Sequence, residues 1–258
     1  MSGAVARAVD LLLPAGCVSC RAWMPRSAGD SAPICARCRS RLRIASWPRC
    51  VRCHAPLGRA HEPATATPEA ECHECRAWPP ALASARSAFV LTGPAADLVH
   101  ALKYEGWCEL AGFMGEGMAK VARRHMPACA SGASPVVTPV PTTPTRVRRR
   151  GYNQAALLAD AVASVLGAPL APALVPTADR RSQIELEPGQ RRANVRGVFA
   201  AGPAVRAVQG CPVLLVDDVL TTGATASEAA SVLLEQGASA VHLMTFARAL
   251  PEAVSGLS

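Results

Sequence analysis

Val213-Leu-Leu-Val-Asp-Asp-Val-Leu-Thr-Thr-Gly-Ala-Thr225 joins a fully apolar run to a polar turn containing glycine. Residues 212–216 predict a buried strand, 217–225 a turn, and 226–236 a helix stopped by Gly237. A second apolar strand is expected over 240–246. A continuous apolar strand, a helix and another apolar strand form a βαβ unit. The chain therefore reads as α/β, with an open, mostly parallel sheet and flanking helices. The strand delivers two adjacent carboxylates, Asp217 and Asp218, to its C-terminal end, where ligands of open parallel sheets bind. The turn after them opens a helix whose first N–H groups lack intrahelical partners and favour anions. Gly223 allows close backbone approach, Ala224 follows it, and Thr221, Thr222 and Thr225 add hydroxyl donors. Two acids beside a phosphate site would repel the ligand unless they hydrogen-bond sugar hydroxyls, directly or through a metal ion. The implied ligand is a ribose 5-phosphate. For Asp-Asp alone, a capped helix with two exposed acids would be the better reading; the unbroken order of strand, acids, threonines and helix favours the ligand.

Working outward, residues 85–91 and 136–140 predict further strands, and 95–103, 115–124 and 153–166 predict helices. The segment from Pro141 to Gly151 reads as a loop rich in Thr, Pro and Arg, and 177–196 as a long polar loop. Before residue 80 the composition is different, with many Cys, Arg and Pro and little periodicity. The expected division is a Cys-rich module over 1–80 and the α/β domain over 81–258.

Eight of the eleven cysteines form four Cys-x-x-Cys pairs: Cys17/Cys20, Cys35/Cys38, Cys50/Cys53 and Cys72/Cys75. Fourteen residues separate the first two pairs and eighteen the last two, spacing expected of four-cysteine zinc ribbons. Two sequential zinc sites are expected, with an interleaved arrangement as the alternative. Disulfides and an iron–sulfur cluster are the competing chemistries. His54 and His73 stand beside ligands and read as exposed neighbours, with substitution for a cysteine ligand as the alternative. A segment so poor in apolar residues cannot build its own core, so the metal is expected to substitute for one.

The chain of 258 residues is 50% hydrophobic and 4% aromatic, with a formal charge of +8. Two zinc sites of four thiolates would reduce that to about +4, which weakens a nucleic-acid argument drawn from charge alone. Nine arginines face four acids between residues 146 and 196, so an anionic ligand is more plausible there than over the whole surface. No apolar run approaches the ~20 residues of a membrane span, and a cytoplasmic protein without membrane insertion is expected.

These segments resemble the ComF family of competence proteins, which includes the GntX-like proteins, within the type I phosphoribosyltransferases. The residues that carry the resemblance are the cysteine pairs and the 213–225 segment. With them go His100-Ala-Leu-Lys-Tyr104, Val140-Pro141 leading to Arg150-Gly-Tyr-Asn-Gln154, and Gln183, Leu186, Arg191 and Asn194. The sequence departs from the family pattern at Thr142, Thr143 and Tyr152, and at Pro176, Ala178 and Arg180 upstream of Gln183. The resemblance implies a phosphoribosyltransferase-like sheet behind a zinc-binding module. It further implies a phosphoribosyl pyrophosphate (PRPP) ligand with Mg2+, and a role in handling imported single-stranded DNA with other competence proteins. By the same resemblance Asp217 and Asp218 are the catalytic carboxylates, holding the ribose hydroxyls. Thr221, Thr222, Gly223, Ala224 and Thr225 take the 5-phosphate. Arg149, Arg150, Tyr152, Asn153, Gln154, Gln183, Arg191 and Asn194 lie toward pyrophosphate or the second substrate. Three function classes follow: a PRPP-dependent transferase with an unnamed acceptor, a nucleotide-binding regulator without turnover, and a nucleic-acid adaptor using the zinc module and basic loop.

Overall fold

The structure is a computed structural model that describes residues 16–24, 33–46, 48–57, 72–125, 134–177 and 197–250. Gln183, Arg191 and Asn194 lie outside the described residues. The central sheet has four strands, β1 (Ser84–Val90), β2 (Val136–Pro139), β5 (Pro212–Leu220) and β6 (Ala240–Arg248), in the order β1-β6-β5-β2. Every pairing in it is parallel. A separate antiparallel pair, β3 (Leu174–Pro176) and β4 (Phe199–Ala201), lies outside it. The longer helices are α3 (Pro94–Tyr104), α4 (Leu110–His125), α6 (Gln154–Leu166) and α7 (Ala224–Glu235). Short helices are α1 (Ala36–Ser40), α2 (His73–Arg76) and α5 (Pro144–Arg150).

Besides an α4 that begins at Leu110 rather than 115, a β6 that runs on to Arg248 and an unexpected β3–β4 pair, three differences from the sequence expectation bear on the site. β5 continues through Leu220, so Asp217 and Asp218 sit on the strand, with Asp217 in register with Thr245 of β6. α7 begins two residues earlier than expected, at Ala224. The expected loop from 141 to 151 contains α5, which buries none of its residues and so shows no apolar stripe in the sequence. Its signals are local: Thr143 caps it by accepting from the Arg146 N–H, Pro144 opens it, and left-handed Gly151 ends it.

Side chains alternate across β5, and the alternation divides the core in two. Val213 and Leu215 belong with Ala226, Ala229, Ala230 and Leu233 of α7. Leu214 and Val216 belong with Leu98 and Leu102 of α3, Met114 and Met118 of α4, and Leu158 and Val162 of α6. α4 and α6 cross closely at Gly115, where an added Cβ would meet the Ala161 Cβ at 2.5 Å. The cysteine module joins both cores. Cys50, Cys53, Cys72 and Cys75 lie in the α7-side cluster, and Cys17 and Cys38 in the other. The cysteines thus pack as part of the cores on both faces of the sheet.

His54 differs from its expected exposed setting. Its ring meets the ring of His125, at the end of α4, with centroids 4.9 Å apart. Nearby, His242 of β6 is buried, its Nδ1 2.8 Å from the Ser84 hydroxyl and its Nε2 without a hydrogen-bond partner. Burial lowers the pKa of His125 and His242, and the charge of Arg86 lowers both further. A folded-state pKa below the unfolded value of about 6.5 means that the unfolded chain binds more protons below that pH. This contribution to stability is therefore present above about pH 6.5 and falls as pH drops toward the folded values. In a chain of this size each kcal/mol is worth about 2–4 °C of melting temperature. His242→Gln is expected to reduce the loss of melting temperature between pH 7.5 and 5.5 by about 3 °C. An unchanged loss would remove His242 from the account.

Candidate functional site

Both groups of four cysteines close into compact clusters, Cys17/Cys20/Cys35/Cys38 and Cys50/Cys53/Cys72/Cys75, with the sulfurs of each within 4.8 Å of one another. The pairing is sequential. Zinc–sulfur bonds of about 2.3 Å at tetrahedral corners place sulfurs about 3.8 Å apart, whereas a disulfide needs about 2.05 Å. The Sγ atoms of Cys20 and Cys35 are 3.8 Å apart, those of Cys72 and Cys75 3.7 Å, and those of Cys50 and Cys75 3.4 Å. All described cysteines are free of disulfides. These distances fit four thiolates around a structural zinc ion.

The two ribbons repeat one local geometry. Cys17 N–H donates to Ala22 O at 2.8 Å, and Cys50 N–H to Ala55 O at 2.8 Å. Arg21 and His54, each directly after a Cys-x-x-Cys, have φ of +60° and +62°. Both second halves begin a short helix directly after the third cysteine, α1 after Cys35 and α2 after Cys72. The doubled cysteine spacing is therefore a doubled fold.

At the C-terminal ends of the sheet a cavity of about 580 Å³ opens, with Asp217, Asp218, Thr221 and Thr225 on one wall. His100, Lys103 and Tyr104 of α3 form another wall, and Val140, Pro141, Thr142, Arg146, Arg150 and Gln154 a third. Asp218 is buried, and its Oδ2 lies 2.8 Å from Lys103 Nζ. The Asp217 Oδ1 accepts from the Asp218 backbone N–H at 2.8 Å. Desolvation, and then the adjacent charge of Asp218, raise the Asp217 pKa well above the ordinary carboxylate range, while Lys103 partly offsets them. α7 starts at the cavity with Gly223 as its N-cap, no side-chain cap and no acid in its first turn. That end of the helix is accordingly electrostatically open to an anion.

The expected site residues divide into three groups. Asp217, Asp218, Thr221, Thr225, Arg150 and Gln154 share the cavity. The Arg150 Nη1 donates to Gln154 Oε1 at 3.0 Å, and its guanidinium lies 5.0 Å from the Tyr104 ring centre. Tyr152, Asn153 and Arg149 sit elsewhere. The Tyr152 hydroxyl donates to Leu102 O at 2.5 Å, and burial raises its pKa to about 12. Asn153 caps α6 by accepting from Ala155 N–H and donates to Val140 O, which ties the α6 start to the end of β2. Arg149 is exposed on α5. Thr222 and Gly223 form the turn itself, where the Thr222 hydroxyl accepts from Ala224 N–H. Lys103, Tyr104 and Arg146 carry no role in the sequence reading. Lys103 and Tyr104 stand in the quoted 100–104 segment as the last two residues of α3, but only the tertiary fold aims them at Asp218 and Arg150.

Residues 8–76 match the double zinc ribbon domain family, and residues 153–253 match the phosphoribosyl transferase domain family. The chain is 29% identical over 248 residues to the DNA utilization protein YhgH of Salmonella typhi, covering 93% of this chain and all of that one. It is 23% identical to competence protein ComFC of Bacillus subtilis, over 80% of each chain. Competence protein F of Haemophilus influenzae is 33% identical over 44% of this chain and 50% of its own. Among solved structures, the glutamine PRPP amidotransferase of B. subtilis is similar over 52% of this chain and 25% of its own, at 23% identity and a TM-score of 0.34. A double zinc ribbon before a parallel sheet that matches the phosphoribosyl transferase domain family, with similarity over most of the chain to proteins named for DNA utilization and competence, supports a ComF-family, type I phosphoribosyltransferase-like protein.

Proposed function

We propose that the cavity binds PRPP, or a related ribose 5-phosphate, with Mg2+. The observation that carries this reading is the meeting of Asp217, Asp218, Thr221 and Thr225 with Lys103, Arg146 and Arg150 around one cavity of about 580 Å³. In it the 5-phosphate lies at the α7 N-terminus, on the backbone of the 221–225 turn and the Thr221 and Thr225 hydroxyls. Asp217 and Asp218 accept hydrogen bonds from the ribose hydroxyls, and Lys103 supplies the counter-charge to Asp218. Arg146 and Arg150 face the pyrophosphate, and planar guanidinium groups suit its paired oxygens. The carboxylate and hydroxyl oxygens on the cavity wall are hard donors of the kind Mg2+ takes. Bound there with the ligand, Mg2+ would neutralise charge on the pyrophosphate.

Phosphoribosyl transfer develops positive charge at the ribose C1 as pyrophosphate leaves. The residues of this cavity would hold the ribose and the leaving group in line and exclude water. The names of the relatives, DNA utilization protein and competence protein, support a role for this chain in DNA utilization or competence, which on this reading is the handling of imported single-stranded DNA in the cytoplasm. Other competence proteins would be its partners there. Among the described residues no helix is long and apolar enough to cross a membrane. The eight arginines between Arg21 and Arg52 keep a nucleic-acid adaptor as the second reading.

Calorimetric titration of the zinc-loaded protein with PRPP and Mg2+ tests the site. The expected dissociation constant is micromolar, about −8 kcal/mol. A hundredfold excess over it adds about 2.7 kcal/mol of stability, and so raises the melting temperature by about 5–10 °C. Neither heat nor a melting shift with PRPP would sink the ligand assignment. Salt-dependent binding of single strands in its place would establish the adaptor.

A further inference from the structure

We infer that Trp78, which follows the last cysteine of the second zinc ribbon, is a positioning residue of the phosphate turn. The inference rests on the proposed ribose-phosphate site. The Trp78 indole N–H donates to the Thr222 carbonyl at 2.8 Å across 144 residues of sequence. Its ring fills the space beside Gly223, where an added Cβ would meet the indole at 2.5 Å, and Gly223 itself has φ of +79°. The turn residue that must be glycine for backbone reasons is also the one on which the indole lies.

Trp78 is itself held by the ribbon. It is buried, at 7% exposure, and its backbone N–H donates to Cys75 O at 3.0 Å. The Arg52 guanidinium, from within the Cys50/Cys53 knuckle, donates to Cys75 O at 2.9 Å, Pro79 O at 2.8 Å and Leu82 O at 3.0 Å. That guanidinium also lies 5.9 Å from the Trp78 ring centre. A second tie reaches the end of β6, the strand paired with β5. Arg248, in register with Leu220, donates to Cys53 O at 2.9 Å and pairs with Glu74 Oε2 at 2.5 Å. The ribbon thus grips both the turn after β5 and, through Arg248, the end of β6 that pairs with the last residue of β5.

A turn that must present its amides to a phosphate loses affinity when it is free to reorient, because ordering then accompanies binding. The zinc ribbon holds the turn in its binding geometry in advance, and Trp78 is the contact that transmits it. Coupling of this kind is reciprocal, so a ligand on the turn must also strengthen the hold on the metal.

The test uses the full-length, zinc-loaded protein and Trp78→Phe, which keeps an aromatic ring and removes the indole N–H. The variant is expected to retain two zinc ions and its melting temperature within a few degrees. Its affinity should fall about tenfold for ribose 5-phosphate and equally for PRPP, since one hydrogen bond and the order of the turn are lost. In the wild type, saturating ribose 5-phosphate should slow zinc release to a chelator about fivefold, and Trp78→Phe should abolish that protection. Unchanged affinity in a folded variant overturns the inference, as does equal zinc release with and without ligand in the wild type. The release measurement decides the matter should the variant fail to fold. If the wild type binds neither ribose 5-phosphate nor PRPP, it is the reading of the cavity that fails.

Discussion

Asp217→Asn/Asp218→Asn is expected to lower PRPP affinity by about a hundredfold or more. Hydrogen bonds to charged groups contribute about 1.5–3 kcal/mol each, or about ten- to a hundredfold in affinity per carboxylate. The single variants should separate two roles that adjacency in the sequence conceals. Asp217 is disfavoured in its charged form by desolvation and by Asp218 beside it. Asp217→Asn therefore relieves repulsion and should leave stability unchanged or slightly raised. Asp218 is buried and pairs with Lys103, whose side chain is only 21% exposed. Asp218→Asn leaves that ammonium without its counter-charge and should cost about 1–3 kcal/mol of stability. Calorimetry with PRPP and Mg2+ reads the affinities, and thermal melts read the stabilities. A double variant that binds PRPP within threefold of the wild type would remove both carboxylates from the ligand.

What was legible in the sequence was whatever one local segment contains. β5, α7 and β6 announce themselves because buried parallel strands are continuously apolar and a helix separates them. Asp217, Asp218, Thr221 and Thr225 meet at the cavity because they are nearly consecutive on one strand and one turn. The zinc clusters followed from spacing, since a Cys-x-x-Cys knuckle sets two ligands with no help from the rest of the fold. α5 was not legible, because a helix that buries nothing carries no apolar period and is marked only by Thr143, Pro144 and Gly151. Lys103 and Trp78 were not legible as site residues for a different reason. Their partners, Asp218 and Thr222, stand 115 and 144 positions away, and no local pattern encodes a contact at that distance. Tyr152 and Asn153 show the converse. They stand in a segment that suggests substrate contact, and their polar atoms hold Leu102 O, Val140 O and the start of α6.

Removing zinc is expected to unfold the chain, beginning with the first ribbon. A structural zinc site binds its metal with about 10–16 kcal/mol at pH 7, which matches or exceeds the whole stability of a typical domain, about 5–15 kcal/mol. In the second ribbon Cys50, Cys53 and Cys75 are fully buried and Cys72 nearly so, in one cluster with Val213, Leu215 and Leu233. Loss of that metal leaves four thiols in the core of the sheet with no ion to bring them together, so its release and global unfolding should coincide. The first ribbon is more open. Cys20 is exposed and Cys35 half-buried, although Cys17 and Cys38 are buried against the α3 and α4 core. A chelator should therefore take one zinc per chain readily, with partial loss of melting temperature, and the second only as the far-UV circular dichroism collapses. Cys20→Ser should reproduce the first step alone, and Cys53→Ser should prevent folding. Elemental analysis of the purified protein should find two zinc ions per chain. A zinc-free chain that still melts cooperatively within a few degrees of the loaded protein would show that packing, rather than metal, holds the ribbons against the sheet.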